Sequence, residues 1–232
     1  MDSLARYYDK IYGFKDYAAE AEKLVDVIAT HLRSSGNCLL DVACGTGRHL
    51  SLLRDRFDVE GLDLSAEMLA VARESCPDIP FHQGDMRTFA LDKRFDIVTC
   101  LFSSIGYVLT SDGLRSAMER MAAHLVPGGV LIVEPWLTPD SWIPGTVHGL
   151  FVDEPDLKIA RVNTSLTVNG RSSFDLHHLI GTPEGTEHIV EHHELGLFTS
   201  DEMITAATEA GLVPAFDEEG LTGRGLLIGR RP

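Results

Sequence analysis

Leu39-Leu40-Asp41-Val42-Ala43-Cys44-Gly45-Thr46-Gly47 is the stretch whose reading decides the fold. An apolar run reaches an acid and breaks into a Gly-x-Gly turn, and a helical pattern begins at Arg48. A strand that turns tightly into a helix leaves the amides of the first helical turn free to hold a ligand. Gly45 and Gly47 permit positive φ and a close approach of the backbone to that ligand.

The same rhythm extends in both directions. Before the stretch, Ala21, Leu24, Val25, Ile28 and Leu32 recur at helical spacing, and residues 34–37 stop that helix. After it, residues 48–56 read as a helix and 59–63 as a short strand ending on Asp63. Ser65 is an N-cap, and Met68, Leu69, Val71 and Ala72 give the next helix its apolar face. Strands follow at 79–83, 95–102 and 130–134, with a helix at 114–125 stopped by residues 126–129. Such alternation predicts an α/β fold: a doubly wound, mostly parallel sheet covered on both faces.

Between residues 135 and 198 the helical period disappears. Residues 161–168, 172–180 and 187–197 alternate as longer strands, with turns at Asn169-Gly170 and at residues 182–185. These predict an antiparallel sheet inserted after strand five. A helix at 199–210 and strands at 212–216 and 226–228 then complete a seven-stranded main sheet. The expected division is a core of residues 1–134 and 199–232 with an insert of residues 135–198.

The chain has 232 residues, 44% of them hydrophobic, and a formal net charge of −15. That charge excludes a nucleic-acid partner, which needs a basic surface, and disfavours an anionic membrane. No apolar run reaches the ~18 residues of a membrane span. The N-terminus lacks the basic head and apolar stretch of a signal peptide. Cys38, Cys44, Cys76 and Cys100 show no CxxC spacing and read as reduced thiols of a cytoplasmic protein. His177-His178 and His192-His193 are adjacent pairs, and neighbours on a strand point to opposite faces. We therefore expect no metal.

In an open parallel sheet, ligands sit at the carboxyl ends of the strands. Asp41, Asp63, Asp85 and Ser103 collect there. A dinucleotide site would want a third glycine where Leu50 stands, so NAD is disfavoured. Asp63 can accept two hydrogen bonds from a ribose diol, and Asp85 can accept from an adenine amino group.

Residues 40–47, then Gly61-Leu62-Asp63-Leu64-Ser65, then Gln83-Gly84-Asp85-Met86, resemble the successive motifs of Rossmann-like S-adenosylmethionine-dependent methyltransferases. Residues 15–20, 102–107, 133–136 and 223–226 narrow the resemblance to the N,N-dimethyltransferases of TDP-linked 3-amino-deoxysugars, the desosamine and mycaminose type. It runs over nearly the whole chain. It implies S-adenosyl-L-methionine as cofactor and methylation, once or twice, of the amine of a nucleotide-linked amino sugar. A methyltransferase of the same fold acting on another small acceptor (an amine, a phenol or a carboxylate) is the competing reading, and a homodimer is implied.

The resemblance also implies roles. Gly45 and Gly47 let the backbone approach the amino-acid part of the cofactor, and Asp41 receives its ammonium directly or through water. Asp63 holds the ribose, with Ala43, Leu64 and Met68 beside it, and Asp85 and Met86 border adenine. Phe102 and Ser103 face the middle of the cofactor, and Tyr12 and Tyr17 close over it. For the acceptor, Tyr107 orients the amine, Glu134 offsets the ammonium that forms, and Trp136 leaves strand five toward the same mouth. Arg224 clamps a diphosphate, and Arg161 and His177, with His178, wall the sugar-nucleotide pocket.

Overall fold

Residues 4–232 are described by the computed structural model. The chain passes through α1 (Tyr8–Ile11), α2 (Tyr17–His31), β1 (Cys38–Val42), α3 (Arg48–Leu53), β2 (Asp58–Asp63), α4 (Ala66–Ser75), β3 (Phe81–Gln83) and β4 (Phe95–Cys100). α5 (Ser111–Ala123) and β5 (Leu125–Val133) follow, then β6 (Val147–Glu154), β7 (Leu157–Thr164), β8 (Leu166–Val168), β9 (Arg171–Thr182) and β10 (Gly185–Leu195). α6 (Ser200–Glu209), β11 (Val213–Asp217) and β12 (Leu226–Arg230) complete it.

Seven strands form one sheet in the order β11-β12-β5-β4-β1-β2-β3. β12 pairs antiparallel with both of its neighbours, and the remaining pairs are parallel. The order reverses between β1 and β4, and this switch point opens a crevice at the carboxyl edge. Both faces are covered because successive side chains alternate between two cores. Leu40, Val98 and Leu131 face α5 and α6 (Leu114, Met118, Met203), while Leu39, Ile97 and Ile132 face α2 and α3 (Leu24, Ile28, Leu50, Leu53). The helix starts are fixed by side-chain caps. Asp16 accepts from the Ala19 amide, Ser65 from Met68, and Thr199 forms a capping box with Glu202.

Two local expectations need correction. Residues 126–129, expected to stop a helix, belong to β5. Phe95 pairs with Leu125 and Ile97 with Val130, so the Pro-Gly-Gly stretch bulges out within a single strand. β6 escaped the sequence reading altogether. It is an edge strand whose apolar residues Val147 and Phe151 face outward, so its alternation does not mark a buried side.

The second sheet runs β10-β9-β7-β6, with β8 paired to β9, and all of its pairs are antiparallel. Its register sorts the side chains into two faces. Leu150, Arg161, His178 and Ile189 form one cross-strand row, and Gly149, Val162, His177 and Val190 form a row of the opposite face. Ile159 and Ile180 bury the inner face against Leu4 and Ile11 of the N-terminal segment. That segment therefore lies between the insert and the crevice of the main sheet. It is tied to the first loop by a 2.7 Å hydrogen bond from the Thr46 hydroxyl to Asp9.

Candidate active site

The crevice at the switch point opens into a cavity of ≈ 1150 Å³ whose walls come from the main sheet, the N-terminal segment and the insert. This exceeds the usual volume of a single-ligand pocket, about 300–1,000 Å³, and leaves room for two molecules.

One end is built by loops after β1, β2 and β3. Asp63 ends β2 with its two carboxylate oxygens held by backbone amides, Gly45 N at 2.8 Å and Ser65 N at 2.8 Å. Its orientation is thus fixed while further lone pairs remain for a donor from a ligand. Burial raises its pKa, against the lowering effect of those amides. Gly45 has φ +57°, and the space where a Cβ would sit is empty. Asp85 also lines the cavity, paired with Arg87 Nε at 3.0 and 3.1 Å; this partner holds the carboxyl below its ordinary pKa.

The chain after β4 is bent sharply. Phe102 (φ +51°) and Ser103 (φ +64°) are both left-handed, a conformation that costs non-glycine residues energy and collects at functional sites. Glu134 braces this bend. It is fully buried, accepts from the Phe102 amide at 2.7 Å and from the Thr222 hydroxyl at 2.5 Å. The bend aims Phe102 at Tyr12, ring edge to face at 5.2 Å, and brings Ser103 to Arg224, whose Nη1 donates to Ser103 Oγ at 2.8 Å.

The other end is built by faces. Phe174, Leu176 and His178 of β9 line the cavity with Glu191, His193 and Leu195 of β10 and with Arg161 and Asn163 of β7. Trp136, Trp142 and Phe174 form a ring cluster with centroids 6.2–6.3 Å apart. Arg161 lies over the Tyr12 ring at 5.1 Å and Arg224 over the Trp136 ring at 5.0 Å. Tyr107 donates or accepts at 2.8 Å with His193 Nδ1.

Comparison with known proteins identifies this architecture. Residues 39–129 match a methyltransferase-domain family. The chain is 43% identical to the dTDP-3-amino-3,6-dideoxy-alpha-D-glucopyranose N,N-dimethyltransferase of Streptomyces fradiae, over 97% of this chain and 90% of that one. The crystal structure of Streptomyces venezuelae DesVI superposes with a TM-score of 0.94 at 38% identity, covering 100% of both chains. The chain belongs to the S-adenosylmethionine-dependent sugar N-methyltransferases. CalS10 of Micromonospora echinaspora, an amino pentose methyltransferase solved with S-adenosylmethionine bound, matches with a TM-score of 0.85 and 41% identity over 94% of this chain and 92% of that one.

Within this sugar N-methyltransferase, most of the residues singled out in the sequence line the cavity. They are Tyr12, Ala43, Gly45, Asp63, Leu64, Met68, Asp85, Met86, Phe102, Ser103, Tyr107, Trp136, Arg161 and Arg224. Five stand elsewhere. Gly47 caps α3 at φ +77° with its Cα toward the Phe81 ring, so it serves the turn and the packing. Tyr17 is buried edge-on to His49 and leaves the cover of the cavity to Tyr12. Asp41 is buried, accepts from Thr99 Oγ1 at 2.7 Å, and stands behind the cavity wall. Glu134 acts on the bend behind the cavity and not from its wall. His177 lies on the outer face of the insert, stacked on His188, while its neighbour His178 lines the cavity. A one-residue choice on a strand changes the face, and only the register of β9 with β7 decides it.

Sequence reasoning gave no place in this cavity to Tyr8, Trp142, Phe174, Glu191 or to His193, which it weighed only for a metal, and all of them are in the lining. Once His178 is placed, period two supplies Phe174 on β9, and the β9–β10 register supplies Glu191 and His193. Among the described residues no group of His, Cys, Asp or Glu could hold a metal ion.

Proposed function

We propose that the cofactor occupies the loop-built end and a dTDP-linked amino-deoxysugar the end beneath the insert, so that the amine meets the methyl donor near Tyr107. Asp63 would hold the ribose, Gly45 and Ala43 the amino-acid part, and Leu64, Met68, Asp85 and Met86 the adenosine. S-adenosylmethionine supplies a methyl group already activated on a sulfonium. The chain's task is to hold the attacking nitrogen in line and to exclude water. Tyr12 and Phe102 offer ring faces and edges where a sulfonium is tolerated.

The observation that supports this acceptor class is a pair of arginines. In a chain of net charge −15, Arg161 and Arg224 reach the cavity, and among the described residues neither forms an ion pair with a carboxylate. Lys15 and Arg87, by contrast, are paired with Glu20 and Asp85. Two guanidiniums without a carboxylate partner suit a diphosphate, which they grip through paired N–H donors. The aromatic group Trp136, Trp142 and Phe174 suits the flat base and the apolar face of a deoxysugar. In this reading residues 1–134 and 199–232 hold the cofactor, and residues 135–198 cover the acceptor.

The outer face of the insert supports a homodimer. Val147, Phe151, Val162, Leu179 and Val190 are between 46% and 67% exposed there, a contiguous apolar sheet face. Four free cysteines agree with a cytoplasmic enzyme. No helix among the described residues is long and apolar enough to cross a membrane.

The test is transfer of an isotopically labelled methyl group, followed by mass spectrometry over a panel of dTDP-3-amino and dTDP-4-amino sugars. One or two methyl mass gains on a sugar nucleotide support the reading. Label found only on a non-sugar amine, phenol or carboxylate overturns it.

A further inference from the structure

We propose that His193 is the proton acceptor behind Tyr107, so that the two side chains together carry a proton away from the acceptor amine. This rests on the amino-sugar reading given above, and it assigns His193 a positioning and relay role through Tyr107.

The geometry is a line of four groups along the cavity wall. Tyr107 Oη lies 2.8 Å from His193 Nδ1, His193 Nε2 lies 3.8 Å from Glu191 Oε2, and Glu191 Oε2 lies 3.4 Å from His178 Nε2. The His193 ring is stacked on Phe174, with 17° between planes and centroids 5.5 Å apart, so its orientation is fixed. Among the described residues His193 Nε2 is buried without a hydrogen-bond partner, as are both ring nitrogens of His178, which is 1% exposed. Such groups are costly unless they are used. The titratable groups facing the pair are Glu191 on β10, His178 on β9, Tyr8 and Tyr12 from the N-terminal segment, and Asp63 at the end of β2.

Tyr107 alone is a poor base. Half of its side chain is open to the cavity, but the walls keep its hydroxyl from bulk water, and this burial, with Tyr12 beside it, raises its pKa. Glu191 behaves oppositely. Burial pushes it up, but the His178 and His193 imidazoles outweigh that and bring it down to about 2. A phenol that resists ionising, an imidazole at hydrogen-bond length and a carboxylate that stays charged make a relay in which no phenolate need accumulate.

The step balances. An amine that arrives protonated, or carries the extra proton left by a first methylation, loses one N–H bond as an O–H bond forms at Tyr107 Oη. The phenol's own proton moves to His193 Nδ1. The result is an amine with its lone pair free, a neutral phenol, and an imidazolium beside Glu191. The imidazolium then gives up a proton to solvent while Glu191 stays ionised beside it, and exchange with solvent returns the ring to the Nε2–H tautomer whose Nδ1 accepts from Tyr107. A proton that formed on the amine in the first transfer can thus be removed without release of the sugar.

The experiment measures kcat for wild type, His193→Gln and Tyr107→Phe at saturating S-adenosylmethionine and dTDP-amino sugar. Two conditions are compared, about pH 7.5 and about pH 9.5, the second chosen so that the amine loses its proton to solvent before it binds. His193→Gln is expected to lose about 30-fold or more at the lower pH and to recover to within about threefold at the higher. Tyr107→Phe should show the same pH-dependent deficit, and the double variant should be no worse than either single one. Binding of S-adenosylhomocysteine within about twofold of wild type shows that each variant is folded. An equal loss at both pH values, or no loss at either, overturns the relay. If His193→Gln does not fold, Tyr107→Phe on its own decides between these outcomes. Failure of the wild type to methylate any dTDP-amino sugar would instead overturn the acceptor reading on which the relay rests.

Discussion

The two sheets of this molecule line the cavity by different geometries. The seven-stranded sheet is buried on both faces, so it meets the cavity with its strand ends and not with a face. Asp63, Asp85 and Phe102 all stand at or just beyond such ends. The inserted sheet has one face toward the cavity and one toward solvent. It offers a surface, on which Arg161 and His178 pair across strands and Glu191 and His193 follow on the same face opposite Leu176 and Phe174. In the proposed division the first arrangement would hold one invariant ligand by a few contacts from loops and backbone amides. The second presents a pattern of side chains that can change one residue at a time, which suits an acceptor that differs between relatives.

If this division is right, substitutions at the two places should separate. The largest effect is expected at Asp63. Asp63→Ala removes a half-buried carboxylate together with the two amide contacts that shape its loop. Two lost charge-assisted hydrogen bonds at about 1.5 kcal/mol each raise the KM for S-adenosylmethionine by about 100-fold. Steady-state kinetics at fixed acceptor would measure this; a change confined to the acceptor KM would break the comparison.

Next in size is Arg224→Ala. It removes a cation stacked on Trp136 and bonded to Ser103, and the KM for the sugar nucleotide should rise about 10- to 30-fold with the cofactor KM unchanged.

A third substitution asks what the main sheet tolerates for its function. Burial pushes the Asp41 carboxyl up to about 6 from an ordinary 3.8. The folded state therefore holds a proton that the unfolded state releases between about pH 4 and 6, and stability falls as pH rises through that window. Asp41→Asn keeps an acceptor for Thr99 without the charge. It should stabilise the protein by about 1–3 kcal/mol at pH 7, with the gain vanishing toward pH 4, in denaturant titrations at both pH values. A loss of stability at pH 7 would show that the ionised carboxylate is needed by the fold.

The smallest effect on chemistry is expected from the outer face. Phe151→Glu puts a charge on the exposed apolar side of the insert. Light scattering should report a monomer, with kcat within about twofold of wild type, as for a surface change away from the cavity. An unchanged dimer would move the interface to another surface.

The same contrast explains what could be read from the chain alone. The parallel sheet was legible because residues 39–42, 97–100 and 130–133, apart from Asp41 and Thr99, are apolar whichever face they meet, so no register was needed. Its site was legible because an acid at a strand end followed by Gly-x-Gly is local in sequence. Asp41 and Glu134 nonetheless look like ligand residues in sequence and prove to be buried, because a strand-end carboxylate can turn inward to Thr99 or to the Phe102 amide. The insert was legible as strands but not as faces. His177 and His178 have equal claims until the pairing of Arg161 with His178 is known. His193 was visible only as a metal candidate, since its meaning lies in Tyr107, which is 86 residues away.

The most direct test of the divided site is a crossed calorimetric titration. S-adenosylhomocysteine and dTDP are each titrated into wild type, Asp63→Ala and the double variant Arg161→Ala/Arg224→Ala. The account predicts that Asp63→Ala weakens S-adenosylhomocysteine by about 100-fold and leaves dTDP within about twofold, with the double arginine variant showing the reverse. Parallel loss of both ligands in either variant would contradict it.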